Sequence, residues 1–209
     1  MSEKLINVVA DLKENEAYQQ VELMIKRGVG VNKILDQVRA AMEIIGKRYE
    51  KGTYFLPELL MAGMIMNRVK EMVKTKLTDM PRPVSRGRVL IGTVEGDIHN
   101  IGKDIVTFML DSNGFEVLDL GVDVPALKFV EAIGDFKPQV VGLSAFLTLA
   151  YDTMKQTISD FEKKGLRNQV KVMIGGGCID ERVREYTGAD GFGINAMAAV
   201  KLTSNWIGG

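Results

Sequence analysis

A single cysteine, Cys178, and a single histidine, His99, stand in a chain of 209 residues. One cysteine excludes an internal disulfide and suits a reducing cytoplasm. One of each cannot supply the four nitrogen or sulfur ligands of a typical structural zinc site. A Ser-His-Asp triad is excluded too, unless His99 is its base. No uninterrupted apolar run reaches about 18 residues, which argues against a membrane span. The opening residues, MSEKLINVVADLKENE, lack the apolar block and cleavage site of a signal peptide. Net charge is missing as well: 27 Lys and Arg balance 27 Asp and Glu, so no field draws in nucleic acid or an acidic membrane. What remains is the composition of a soluble globular protein, 46% hydrophobic and 26% charged, with 12 methionines suited to adaptable packing.

Apolar periodicity divides the chain in two. Residues 1–78 repeat at three and four, as amphipathic helices do. Leu5, Val8, Val9 and Leu12 mark one face of a first helix. A second, from about Glu16 to Arg27, stops at Gly28, a good C-terminal cap. A third begins near Asn32 as N-cap, buries Ile34, Leu35, Val38, Ala41, Met42 and Ile45, and ends near Gly52. Pro57 opens a fourth at the first helical position, where its missing N–H is tolerated. Four helices joined by short loops predict a small bundle. Residues 79–87, with Pro81 and Pro83 about Arg82, predict an extended linker.

From residue 88 to 209 the pattern changes to short apolar runs alternating with helical stretches. The runs are RVLIGTV, FEVLDLG, QVVGLSAF, KVMIGGG and ADGFGI. Helices are expected near 102–113, 125–136, 151–165, 180–187 and 195–206. This alternation predicts an α/β domain, a five-stranded parallel sheet of flavodoxin-like order covered on both faces. Ligands of such folds bind at the carboxyl ends of the strands.

The loop after the first strand, Glu95-Gly96-Asp97-Ile98-His99-Asn100-Ile101-Gly102-Lys103-Asp104, occupies such an end and holds the chain's one histidine. Asp97 lies two residues before His99, so both side chains can point the same way in an extended segment. A carboxylate on one ring nitrogen fixes the tautomer and raises the basicity of the other, which then suits a metal. A loop histidine held by its carboxylate for structure alone fits the same pair. The loop lacks both the G-x-G-x-x-G spacing of a dinucleotide fingerprint and the G-K-[ST] ending of a P-loop, so nucleotide binding is weakly supported.

These residues resemble a known signature. D-x-H-x-x-G, then Ser-x-Leu, then Gly-Gly is the pattern of cobalamin-binding domains, found in methionine synthase, the cobalamin mutases and the small corrinoid proteins of anaerobic methyltransferase systems. The blocks here are Asp97-Ile98-His99-Asn100-Ile101-Gly102, preceded by Gly96; Ser144-Ala145-Phe146; and Gly175-Gly176-Gly177. The resemblance implies that His99 replaces the cofactor's own base below cobalt, as lower axial ligand, and that Asp97 tunes it. It implies a nucleotide tail running beside the first strand, with Ser144 bonding it and Phe146, Leu147 and Thr148 near the same channel. Gly175, Gly176 and Gly177 would let the tail lie against backbone, and Asn195 and Ala196 would touch its far end. Phe146 departs from the family's Leu, and Ala150 stands where methionine synthase has a serine that extends the hydrogen-bond relay. The helical half resembles the cap that precedes the domain in methionine synthase, and Tyr54 or Phe55 corresponds to an aromatic covering the cofactor's upper face.

The function implied is a methyl carrier rather than a complete enzyme. Cobalamin or a related corrinoid, methylcobalamin when loaded, takes a methyl group from a substrate:corrinoid methyltransferase. A corrinoid:tetrahydrofolate or corrinoid:thiol methyltransferase removes it, and a reductive activase is a further candidate partner. An anaerobe's cytoplasm is the expected setting. A B12-dependent sensor is the alternative, although it would normally carry a basic DNA-binding helix pair, which the charge-balanced helices do not suggest. A nucleotide-binding α/β enzyme with His99 as acid or base is the other.

Overall fold

The computed structural model describes residues 2–74 and 85–208. The chain divides into two compact units, residues 1–84 and 85–209. Residues 79–84 of the expected linker, and the end of the fourth helix beyond residue 74, lie outside the described residues.

Among the described residues the first unit consists of four helices: α1 (Ser2–Ala10), α2 (Glu14–Lys26), α3 (Val31–Glu50) and α4 (Leu56–Lys74). Their inward faces bury Leu5, Val9, Val21, Ile34, Val38, Met42, Ile45, Ile65 and Val69, the three-and-four spacing at work. Three local expectations shift. Leu12 is not on α1 but in the turn after it, at φ 57°, where its N–H donates to Val9 O and the Lys13 N–H to Val8 O, closing the helix end. The N-cap of α3 is Gly30 rather than Asn32, because burial of Val31 as the first helical residue draws the start forward. Pro57 is the second residue of α4, and the N–H of Phe55 donates to Glu58 Oε2 at 2.7 Å, half of a capping box.

The second unit is a five-stranded parallel sheet, with β1 (Arg88–Thr93), β2 (Glu116–Asp119), β3 (Val140–Ala145), β4 (Lys171–Gly176) and β5 (Gly191–Gly193) in the order β2-β1-β3-β4-β5. Between and after them run α5 (Ile101–Ser112), α6 (Ala126–Phe136), α7 (Ala150–Lys163), α8 (Glu181–Thr187) and α9 (Ala196–Ile207), the expected helices within a residue or two. A short 3-10 turn at Arg167–Gln169, before β4, carried no apolar period that would announce it. Ser85 and Arg86, assigned to the linker by sequence, are tied to this unit: Ser85 Oγ accepts the Glu116 N–H and the Arg86 N–H donates to Gly114 O.

Register sets what each face of the sheet presents. Gly92, Leu143, Ile174 and Phe192 lie side by side across β1, β3, β4 and β5. Leu143 and Ile174 are buried in the core with Phe129, Met154, Ile158 and Phe161 from α6 and α7, and Phe192 packs against it. A Cβ on Gly92 would stand 2.8 Å from the Phe129 ring. One residue further along, the next row is Thr93, Ser144, Gly175 and Gly193. Period 2 turns this row to the opposite face, where α9 packs on β5 and a Cβ on Gly193 would meet Ala199. The strands therefore contribute large apolar groups on one face and only small groups on the other, at the carboxyl ends where ligands bind.

Candidate functional site

The β1–α5 loop is built around Asp97, which is fully buried although charged. Gly96 enters the loop at φ 84°, a left-handed turn that glycine adopts freely. The Asp97 Oδ1 accepts the His99 main-chain N–H at 2.9 Å and faces the His99 Nδ1 at 2.7 Å. Its Oδ2 accepts two successive amides at the end of β3, Phe146 N–H at 2.6 Å and Leu147 N–H at 2.9 Å. Consecutive N–H groups converging on one oxygen form an anion nest. Burial alone would push this carboxyl up, but the donors of Leu147, His99 and Phe146 outweigh it and hold the group down at about 2.

An ionised Asp97 can only accept, so Nδ1 of His99 carries a proton, and in the neutral ring Nε2 is then the nitrogen with the lone pair. The ring is half exposed, and Phe146 lies against it with centroids 4.6 Å apart. The aromatic departure from the family's leucine thus packs on the candidate ligand. The sequence left the relay beyond Asp97 open. In the structure both Asp97 oxygens are occupied by donors of the loop itself and of the β3 end, without a side-chain hydroxyl among those bonds.

Around this pair the expected residues fall as follows. Ile98 and Ile101 are exposed apolar side chains beside His99, with Asn100 and Gly102 exposed between and after them. Ser144 stands between Thr93 and Gly175 in the row of small residues, and its carbonyl accepts the Val94 N–H at 3.0 Å. Gly176 adopts φ 127°, and a Cβ there would sit 1.9 Å from Ala145 O; one on Gly177 would sit 2.7 Å from Phe146 O. Only glycine lets the β4 end lie this close to the β3 end. Leu147 and Thr148 are exposed in the turn before α7. Asn195 caps α9, its side chain accepting the Ala198 N–H at 2.8 Å, so that oxygen is already engaged; Ala196 begins the helix, buried. Phe55 is in the other unit, 63% exposed, while the Tyr54 hydroxyl accepts from Arg48 and donates to Ala10 O.

Three contributors were not found by sequence. Asp123 holds the loop from the β2–α6 connection: its Oδ1 accepts the Gly96 N–H at 2.8 Å and its N–H donates to Asp97 O at 3.0 Å. Thr93, buried, donates from Oγ1 to His99 O at 3.2 Å. Lys103, buried in the first turn of α5, pairs with Asp104 and Asp119. The neighbours of β1 follow from strand order, which the apolar pattern of β1 alone does not contain.

The residues suit a large metal-bearing ligand. His99 offers one outward lone pair, and among the described residues no group of three or more His, Cys, Asp or Glu could hold a metal ion. A metal held here would bring most of its ligands with it. Exposed Ile98, Ile101, Phe146 and Leu149 supply an apolar rim, and within the small-residue row, between buried Thr93 and Gly193 under α9, the partly exposed Ser144 and Gly175 present little bulk to an extended group.

Comparison with known proteins gives concordant results. Residues 87–201 match a family described as B12 binding domain, and residues 1–74 match a second family with the same description. The chain is 36% identical over 199 residues to trimethylamine corrinoid protein 1 of Methanosarcina acetivorans, covering 94% of this chain and 92% of that one. A cobalamin-binding protein from Desulfitobacterium hafniense has the same fold, with TM-score 0.81 and 34% identity over 99% of this chain and 98% of its own. The methanol:cobalamin methyltransferase complex MtaBC from Methanosarcina barkeri matches with TM-score 0.85 and 26% identity, over 99% of this chain and 79% of that one.

Proposed function

Because the chain belongs to the family of B12-binding domains, with cobalamin or a related corrinoid as its cofactor, we propose that it carries a methyl group between two methyltransferases. One would be a substrate:corrinoid methyltransferase, the other a transferase to tetrahydrofolate or a thiol, with a reductive activase as a third partner. The observation that carries this reading is the Asp97–His99 pair, with the half-exposed ring held through Nδ1 in the loop at the carboxyl end of β1. When bound, the cofactor supplies a cobalt atom that can take up a methyl group and release it.

The chain's own residues have three tasks. His99 would ligate the metal through Nε2, and Asp97, ionised at neutral pH, would hold the proton on Nδ1 and keep the ring turned. Ser144 and Gly175 would admit the nucleotide tail, with the Ser144 hydroxyl as a polar contact. Phe55 is the aromatic we assign to shielding the cofactor's upper face, since it is exposed at the start of α4 beside Leu56, Leu60 and Met61. No helix among the described residues is long and apolar enough to cross a membrane. We place the carrier in the cytoplasm with its partners. The relatives' names pair this chain type with trimethylamine in one case and methanol in another, which favours a donor chosen by the partner.

The test is methyl transfer by the intact, methylated protein. Alone it should transfer to tetrahydrofolate or a thiol very slowly, and a matching methyltransferase should speed transfer by roughly three orders of magnitude or more through positioning. Fast multiple turnover by the isolated chain would refute the carrier reading.

A further inference from the structure

Among the described residues the buried charged side chains are Asp97 and Lys103. The donors around Asp97 account for its burial. Lys103 has no such account in the binding of the cofactor. A cation in the first turn of a helix opposes the helix dipole, which favours negative charge there. Its burial adds a desolvation penalty that only close partners offset. Burial alone would push the ammonium down, yet its bonds to Asp104 and Asp119 prevail and raise it. A methionine or leucine would fill the same space without these penalties.

What the charge does is visible in its contacts. Nζ bonds Asp104 Oδ1 at 2.6 Å and also Asp119 Oδ2, at the last residue of β2. Asp119 is itself held by the Gly121 N–H, 2.9 Å from Oδ1. The other oxygen of Asp104 accepts the side-chain amide of Asn100 at 3.0 Å. Asn100 directly follows His99. A continuous run of polar contacts therefore leads from the end of β2, through Lys103, to the residue beside His99. Upstream, Asp123 grips the same loop at Gly96 and Asp97. The loop is clamped at both ends, and Lys103 is the downstream clamp.

We propose that Lys103, with Asp119 and Asp104, is a positioning residue that pins the first turn of α5 to β2 and so sets how far His99 reaches toward cobalt. This rests on His99 being the metal ligand. Without the clamp, the Asp97–His99 pair remains but the loop loses its downstream anchor, and the balance shifts from histidine-bound to histidine-free cobalt.

The experiment uses the full-length protein labelled with 15N-histidine and loaded with cob(II)alamin. Electron paramagnetic resonance then separates cobalt bound by 15N from cobalt bound by the cofactor's own 14N base or by neither. Lys103→Met should lower the ratio of histidine-bound to histidine-free cobalt by roughly tenfold, the effect expected of an outer-shell partner. Asp119→Asn, which keeps the size and one acceptor, should lower it less, and Lys103→Arg should recover part of the ratio. A wild-type ratio in folded, loaded Lys103→Met overturns the proposal. If that variant does not fold, a wild-type ratio in Asp119→Asn overturns it. If neither variant loads cofactor, exchange of the amides of residues 98–104 in the apo proteins decides: faster exchange than wild type supports the clamp and equal exchange overturns it. Absence of a 15N signal in the wild type is a separate result, since it contradicts His99 as ligand and not the clamp.

Discussion

Two adjacent rows of residues cross the sheet one step apart and do opposite jobs. Gly92, Leu143, Ile174 and Phe192 face α6 and α7, where aromatic and branched side chains fill the space. Thr93, Ser144, Gly175 and Gly193 face the other way and bring no large side chain. Both rows lie at the carboxyl ends of the strands, in the same register. Packing stabilises a fold in proportion to what it buries, and a binding face needs the reverse, a place that the protein itself leaves unfilled. Alternation along a strand lets one sheet meet both demands, because consecutive residues serve opposite faces.

Substitution on the two rows should separate stability from binding. Leu143→Ala removes a buried side chain from the filled face and should cost about 3 kcal/mol of stability, with corrinoid affinity unchanged wherever the protein is folded. Ser144→Leu places bulk on the open face and should weaken corrinoid binding on the order of a hundredfold. Its stability should stay within about 1 kcal/mol of wild type, since filling space is mild where space exists. Chemical denaturation and cofactor titration of both variants provide the comparison. Equal effects of the two on both measurements would erase the distinction between the faces.

A smaller effect is expected at the amino end of the sheet, where neither face is involved in binding. Asp190 accepts the Val172 N–H at 2.7 Å and pairs with Arg167 at 2.9 Å, tying the turn before β5 to β4. Burial pushes its carboxyl up, but these partners outweigh burial and lower it. A lowered folded value means that the stabilisation is present above the ordinary value of 3.8 and fades as pH falls through the lower folded value. Asp190→Asn should therefore cost about 1 kcal/mol at pH 7 and progressively less below pH 4 or so. Cofactor affinity should not change. A deficit independent of pH would show that Asp190 acts through packing rather than charge.

The two rows also show what the sequence could reveal. Apolar runs of strand length marked all five strands, and the loop motif marked Asp97 and His99, because both signals are local. Strand order β2-β1-β3 then brings Asp123 and Asp119 from one side and the Phe146 and Leu147 amides from the other to a loop more than a dozen residues distant in the chain. Those partners are set by topology and have no spacing to read. Helix ends fell short for a related reason: Gly30 rather than Asn32 caps α3 because burial of Val31, a tertiary fact, decides where the helix begins. Nothing in the sequence around Lys103 marks it as buried, and only its partners on β2 and in its own turn reveal its place.

The central claim is that His99 Nε2, oriented by Asp97, is the protein's ligand to cobalt. The most direct measurement is the electron paramagnetic resonance spectrum of the full-length protein loaded with cob(II)alamin, prepared with natural histidine and with 15N-histidine. Histidine ligation predicts that the nitrogen splitting changes from a triplet to a doublet on labelling and disappears, or reverts to the cofactor's own 14N triplet, in His99→Ala. A triplet that persists unchanged in the labelled wild type would mean that the cofactor's own base remains on cobalt, and would contradict the account.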